Sequence, residues 1–187
     1  MRVFSSAVTT VALIGLLSPM ASAHAAGSMT SRPTPAVITS DTTLKLGQKG
    51  VIKVRNLDNK KVPVAIRVTK LQKGKPADLR GQGLRPSDTK GMVPFYIRVV
   101  LNYAGADYHG DPGNFYGVSS DGSRSLLLGS SKGIGPCTED SIVTISKSQR
   151  RASACVVVLV ARGAKLVAAE FNENNEAGQL FTVAWRK

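Results

Sequence analysis

Pro94-Phe95-Tyr96-Ile97-Arg98-Val99-Val100-Leu101-Asn102-Tyr103-Ala104-Gly105 is the stretch whose reading decides the fold. Phe95, Ile97, Val99, Leu101 and Tyr103 fall on one side of a two-residue period, and Tyr96, Arg98, Val100 and Asn102 fall on the other. Such alternation, rich in β-branched and aromatic residues and closed by Gly105, marks a strand. A strand with one apolar face must cover it with a second sheet. The stretch therefore predicts a β-sandwich with this strand near its middle.

On the N-terminal side, residues 51–55 read as a short strand, with Ile52 and Val54 inward and Lys53 and Arg55 outward. Turn residues 56–59 follow, then a strand over 62–71 whose Pro63 argues for a strand start or an edge. Arg67 and Lys73 are expected on its outer face. Residues 74–91 form a polar connection rich in Gly and Pro, expected on the surface.

On the C-terminal side, 106–113 reads as a loop, and 114–119 and 124–128 as brief strands joined by Asp121-Gly122, a hairpin signal. Residues 142–145 are a short strand. Residues 155–161 are apolar on both faces, as in a strand shielded on two sides. Arg162-Gly163-Ala164-Lys165 predicts a second hairpin into 166–171, and Phe181, Val183 and Trp185 alternate in a closing strand. No window shows helical periodicity. Together these signals predict an all-β, antiparallel sandwich of about seven to nine strands.

The first residues bear on compartment. Arg2, an apolar run over 8–17 and small residues at Ala21-Ser22-Ala23 read as a signal peptide over 1–23, cleaved after Ala23 or Ala25. The apolar run is shorter than the ~20 residues a membrane-spanning helix needs. The protein is expected outside the cell, with no stable membrane insertion. Residues 24–43, dominated by Ala, Ser, Thr and Pro, read as a flexible linker, with the folded domain at 44–187.

The chain carries 25 Lys and Arg against 12 Asp and Glu, a formal charge of +13. A charge of this size favours encounter with anionic polymers or surfaces and opposes self-association; it also keeps a secreted domain soluble. Cys137 and Cys155 are the only cysteines. An even count in an exported chain suggests one disulfide, about 3 kcal/mol in the chain-entropy model, with two buried thiols as the alternative.

A resemblance accompanies these readings. Gly47-Gln48-Lys49 leads into a strand, and Tyr96-Ile97-Arg98-Val99 runs on to Asn102 and Gly105. Residues 115–122 precede a turn, and Cys137 lies ahead of Cys155-Val156-Val157-Val158. In these features residues 46–185 resemble a bacterial secreted immunoglobulin-like family, a domain of unknown function common in small envelope lipoproteins and secreted antigens of high-GC Gram-positive bacteria. The resemblance implies an immunoglobulin-like β-sandwich and brings no catalytic residues and no cofactor. The chain departs from the family in lacking a lipid-attachment Cys after the leader and a Gly before the second Cys strand.

Catalytic patterns are thin. Residues 129–133 spell G-x-S-x-G, but that motif needs a strand, a strained turn, a helix and a later His, and no His follows. Ser87 and Lys90 have Ser-x-x-Lys spacing, closed at once by Gly91. Asp107, His109 and Asp111 are the one place where a His sits between carboxylates; they could offer ligands to a divalent ion, or be ordinary turn residues.

Basic residues make the larger pattern. Lys45, Lys49, Lys53, Arg55, Lys60, Lys61, Arg67, Lys70 and Lys73 crowd the first strands and turns. They are expected to form a basic face for an anionic wall polymer, a lipid surface or another secreted protein, or to guard a sheet edge. No aromatic platform accompanies them for nucleic acid. The expectation is a non-enzymatic binding module of the cell envelope without cofactor or metal. The competing expectation is a small secreted enzyme around Asp107, His109 and Asp111.

Overall fold

The structure is a computed structural model and describes residues 36–80, 82–112, 114–130 and 132–187. The residues read as a signal peptide and the first part of the stretch read as a linker lie outside the described residues. The strands are β1 (Val37–Ile38), β2 (Thr42–Lys45), β3 (Gly50–Arg55), β4 (Lys61–Lys73), β5 (Met92–Tyr103) and β6 (Tyr108–Gly110), then β7 (Phe115–Ser119), β8 (Leu126–Ser130), β9 (Val143–Ile145), β10 (Arg151–Ala161), β11 (Leu166–Asn174) and β12 (Leu180–Arg186). A large sheet has the order β1-β3-β4-β5-β10-β8, a smaller one β2-β12-β11-β7, and β6 pairs with β9 alone.

The expected period governs β5. Phe95, Ile97, Val99 and Leu101 enter one core with Ile52, Val64, Ile66, Val156 and Val158 of their own sheet. Opposite them stand Leu44, Phe115, Phe171, Val183 and Trp185 of the smaller sheet. Each such side chain, fully buried, contributes about 1.5–3 kcal/mol. Phe115 is the aromatic hub, its ring 5.0 Å from Phe171 and 5.9 Å from Trp185. The architecture is an all-β sandwich.

Several expectations change. There are 12 strands among the described residues, beyond the expected seven to nine. Two strand pairs are parallel, β1 with β3 and β2 with β12. Pairing starts at Val37, inside the stretch read as linker, because β1 and β2 borrow partners from strands later in the chain. Pro63 sits at the start of an interior strand: β4 meets β5 only from Val64 onward, so no ladder bond on that side needs a proline N–H.

Both expected hairpins are crossings between sheets. After Asp121-Gly122 the chain makes one bridge, Val118 with Arg124, then leaves β7 to pair β8 with β10 in the large sheet. The turn at residues 162–165 likewise carries the chain from β10 in the large sheet to β11 in the smaller one. Residues 106–113, read as a loop, hold the short strand β6.

The even-numbered face of β5 is covered as well. Tyr96 packs with Cys155, Val157 and Leu159 of β10 under Leu79, Ile134 and Cys137 from two connections. Cys137 and Cys155 form the disulfide, with Cα atoms 5.6 Å apart. The two-faced apolar reading of residues 155–161 has this cause: Val156, Val158 and Val160 face the central core and Cys155, Val157 and Leu159 the outer layer. The connection expected on the surface thus helps build a second, smaller core, with a 3₁₀ turn at Pro76–Leu79 and one helical turn, α1 (Pro86–Thr89).

Candidate binding surface

The strands β2, β3, β4 and β12 contain no Asp or Glu, while Lys45, Lys53, Arg55, Lys61, Arg67, Lys70, Lys73 and Arg186 lie in them. Antiparallel or parallel neighbours across a ladder stand about 5 Å apart, close enough for like charges to repel. Three such cationic neighbours occur: Arg55 with Lys61, Lys70 with Arg98, and Lys45 with Arg186.

Two of them are relieved within the fold. Lys61 Nζ donates to the carbonyls of Asn174 and Asn175 and lies 3.8 Å from Glu173. Its neighbour Arg55 donates to Asn59 Oδ1 at 2.8 Å. Arg98 pairs with Glu139 and also donates to the carbonyl of Pro136. The third pair is different: neither Lys45 nor Arg186 forms an ion pair among the described residues, and both are exposed.

Lys53 pairs with Glu176 on the β11–β12 hairpin, and that ammonium holds the Glu176 carboxyl below the usual carboxylate range. Lys53 and Lys61 are therefore ties between the two sheets. The basic residues do not share one face. An irregularity between Val68 and Lys70 reverses the phase of β4. Lys70 stands beside Arg98 on the outer face, whereas Lys73 stands opposite the core residue Phe95, on the inner face at the rim. Arg67 is half-buried with an Nε that has no partner among the described residues, and Lys60 is exposed in the β3–β4 turn.

The turn at residues 46–49 carries the remaining cations on a fixed base. Leu46 N–H donates to the Arg186 carbonyl at 2.7 Å and Gly47 N–H to the Val68 carbonyl at 2.8 Å. Gln48 accepts from Lys45 N–H at its side-chain oxygen, at 3.1 Å, and from the Trp185 indole at its carbonyl, at 2.9 Å. Gly47 has φ of +86°, which an L side chain rarely adopts. The turn is thus stitched to both sheets, with Lys45 and Lys49 exposed on it and Arg186 and Lys187 beside it.

A shallow cleft lies on the outer face of the large sheet, lined by Thr69, Lys70, Arg98, Glu139 and Ser153. Glu139 neutralises Arg98 there, and Lys70 forms no ion pair among the described residues.

Asp107, His109 and Asp111 do not converge. His109 lies in β6 between buried Tyr108 and Gly110, and Asp107 and Asp111 flank the strand, so successive members are about 6–7 Å apart along extended chain. His109 Nδ1 meets Thr144 Oγ1 at 2.9 Å. Among the described residues no group of three His, Cys, Asp or Glu could hold a metal ion. Ser87 Oγ bonds Asp88 Oδ1 at 3.2 Å. The first Gly of the G-x-S-x-G letters lies in β8, and Ser131 is outside the described residues.

Sequence reading missed Arg186 and Lys187 as surface cations and Arg98 as a pinning residue. The first two sit at the far end of the chain from Lys45, and only the parallel pairing of β2 with β12 brings them together. The total absence of acids from four strands was a usable signal.

Among the described residues no helix is long and apolar enough to cross a membrane. No family model matches the chain, and no curated protein matches its sequence. Solved structures that align with the chain include the ycdA protein of Bacillus subtilis, at a TM-score of 0.43 and 11% identity over 66% of this chain and 36% of that one. They also include MPT63, a secreted protein of Mycobacterium tuberculosis, at a TM-score of 0.56 and 16% identity over 80% of this chain and 100% of that one. At that identity the likeness is one of fold: the chain shares its β-sandwich architecture with MPT63 over that protein's whole length.

Proposed function

We propose that this protein is a secreted, non-catalytic binding module of the bacterial cell envelope that recognises an anionic partner through its basic side chains. The observation that carries the reading is the set of four strands holding eight Lys or Arg and no Asp or Glu. The leader read from residues 1–23, the disulfide and the fold likeness to a secreted bacterial protein support the compartment. The immunoglobulin-like resemblance, which brings no catalytic residues, supports the absence of catalysis. Nothing in the geometry favours the metal-dependent alternative at Asp107, His109 and Asp111.

The reading is tested by binding of the purified protein to an anionic cell-wall preparation across a salt series. Screening shortens the reach of exposed charges to about 3 Å at 1 M salt, so retention should collapse there. Retention unchanged by salt, or no retention at low salt, would refute it.

A further inference from the structure

The geometry points to a specific docking platform: Lys45, Lys49, Arg186 and Lys187, around the turn at residues 46–49, receive a phosphodiester-linked polyanion. This rests on the binding reading above and names the site and the ligand chemistry for it.

Three cross-strand pairs of cations exist, and the fold relieves two of them with Glu173 and backbone carbonyls or with Glu139 and the Pro136 carbonyl. The Lys45–Arg186 pair has no such relief among the described residues; Lys49, exposed, follows Lys45 across the turn, and Lys187, exposed, follows Arg186 in the chain. Edge protection explains Lys45, because β2 is an edge strand. It does not explain Arg186, because β12 lies between β2 and β11. Lys49 is in a turn, where there is no edge to guard.

The base of the platform is already ordered by the bonds of Leu46, Gly47, Gln48 and the Trp185 indole, so little backbone freedom is lost on binding. Arg186 supplies a planar fork able to meet two oxygens of one phosphate group, as it would those of a carboxylate, while the lysines act as point charges on neighbouring groups; polyglutamate in the test separates the two chemistries. A bilayer surface fits less well, since membrane-lying surfaces pair cations with apolar anchors. Of the exposed large apolar side chains only Val37, paired with Val51, lies near the turn, and it is a single small side chain; Leu57, Leu126 and Ile142 are elsewhere, and Leu180 is at the opposite end of β12, about 20 Å away at strand rise.

The test is titration of soluble poly(glycerol phosphate) into the wild-type protein, into a Lys45→Gln/Arg186→Gln variant and into a Lys90→Gln/Lys147→Gln control that loses the same charge at exposed sites outside the basic strands and turns. Polyglutamate and phosphatidylglycerol vesicles serve as competing ligands. The platform variant should bind at least about tenfold more weakly and lose about 1.4 from its log–log salt slope, at about 0.7 per cation on a flexible polyanion. The control should stay within about threefold of wild type. Because the substitutions remove a repulsion, Trp185 fluorescence should show the platform variant unfolding no earlier than wild type, which separates lost binding from lost folding. Equal weakening of the control, or binding of polyglutamate or vesicles as tight as that of the phosphate polymer, would overturn the platform. Wild type that ignores every anionic ligand defeats the binding reading itself; wild type that binds while the platform variant binds equally defeats the platform alone.

Discussion

Tyr96 donates its hydroxyl to Asp78 Oδ2 across 2.7 Å, on the face of β5 turned away from the central core. The same carboxylate oxygen accepts the Lys75 N–H at 2.8 Å. Burial and the Asp78 contact push the Tyr96 ionisation far upward, so the hydroxyl remains a donor at any working pH. This bond ties the connection after β4 to the middle of the large sheet. Tyr96→Phe should cost about 1.5 kcal/mol, as for a bond to a charged acceptor. Urea unfolding followed by Trp185, the only tryptophan, measures it. A variant as stable as wild type would show that the bond contributes nothing.

The same pair predicts an acid response. The Lys75 N–H first, then the Tyr96 hydroxyl, hold the Asp78 carboxyl below its ordinary 3.8. A carboxyl depressed in the folded state adds stability above its unfolded value, and that stability fades as pH falls through the folded value. We expect wild type to lose stability below about pH 4, with a smaller loss in Tyr96→Phe. Parallel acid profiles for the two proteins would exclude Asp78 as a contributor.

Tyr96 is also confined by two glycines. A Cβ on Gly74 would lie 2.5 Å from Tyr96 Cε2, and one on Gly135 would overlap the hydroxyl. Gly74→Ala should therefore destabilise by about 1–3 kcal/mol, as overpacking does. In a Tyr96→Leu background the same substitution should cost much less, since neighbouring changes do not add. Additive costs in this double-mutant cycle would mean that the ring is not what Gly74 makes room for.

The disulfide fastens the other connection to the same face. Cys137 and Cys155 are 1% and 2% exposed, so a reductant reaches the sulfurs only after the outer layer opens. Replacing both by Ala should cost about 3 kcal/mol in the chain-entropy model. Native protein should resist mild thiol reductants until it approaches its unfolding midpoint. Rapid reduction of the folded protein would contradict the closed layer.

Tyr108 presents the opposite case. Its side chain is fully buried and its hydroxyl has no partner among the described residues. Burial first, then Asp111 and Glu173, push its ionisation up to about 12. An unsatisfied buried hydroxyl is a cost, so Tyr108→Phe should leave the protein as stable or more stable, by up to about 1 kcal/mol. A marked fall in melting temperature would reveal a hydrogen bond made by that oxygen.

Strand position was legible where the cause is local. The odd side chains of β5 and the two-faced apolar run of β10 declare their burial through a two-residue period, whatever they pack against. Turn chemistry was legible too, but the partner of a turn was not. Asp121-Gly122 and Arg162-Gly163 bend the chain equally well within a sheet or between sheets, and only the open side of β10, waiting for β8, decides.

By itself the sequence determined an all-β chain, the central place of residues 95–103, the one available disulfide and a large excess of cations. Those properties follow from composition and from neighbours along the chain. Tertiary structure decided which cations are spent on holding the fold and which stay exposed without an ion pair among the described residues. Lys53 and Lys61 meet the β11–β12 hairpin, Arg98 meets Glu139, and Lys45 meets another cation, Arg186. Charges act through space over a few ångströms, and strands pair without regard to their distance in sequence; charge balance at a site is therefore set only when the sheets close.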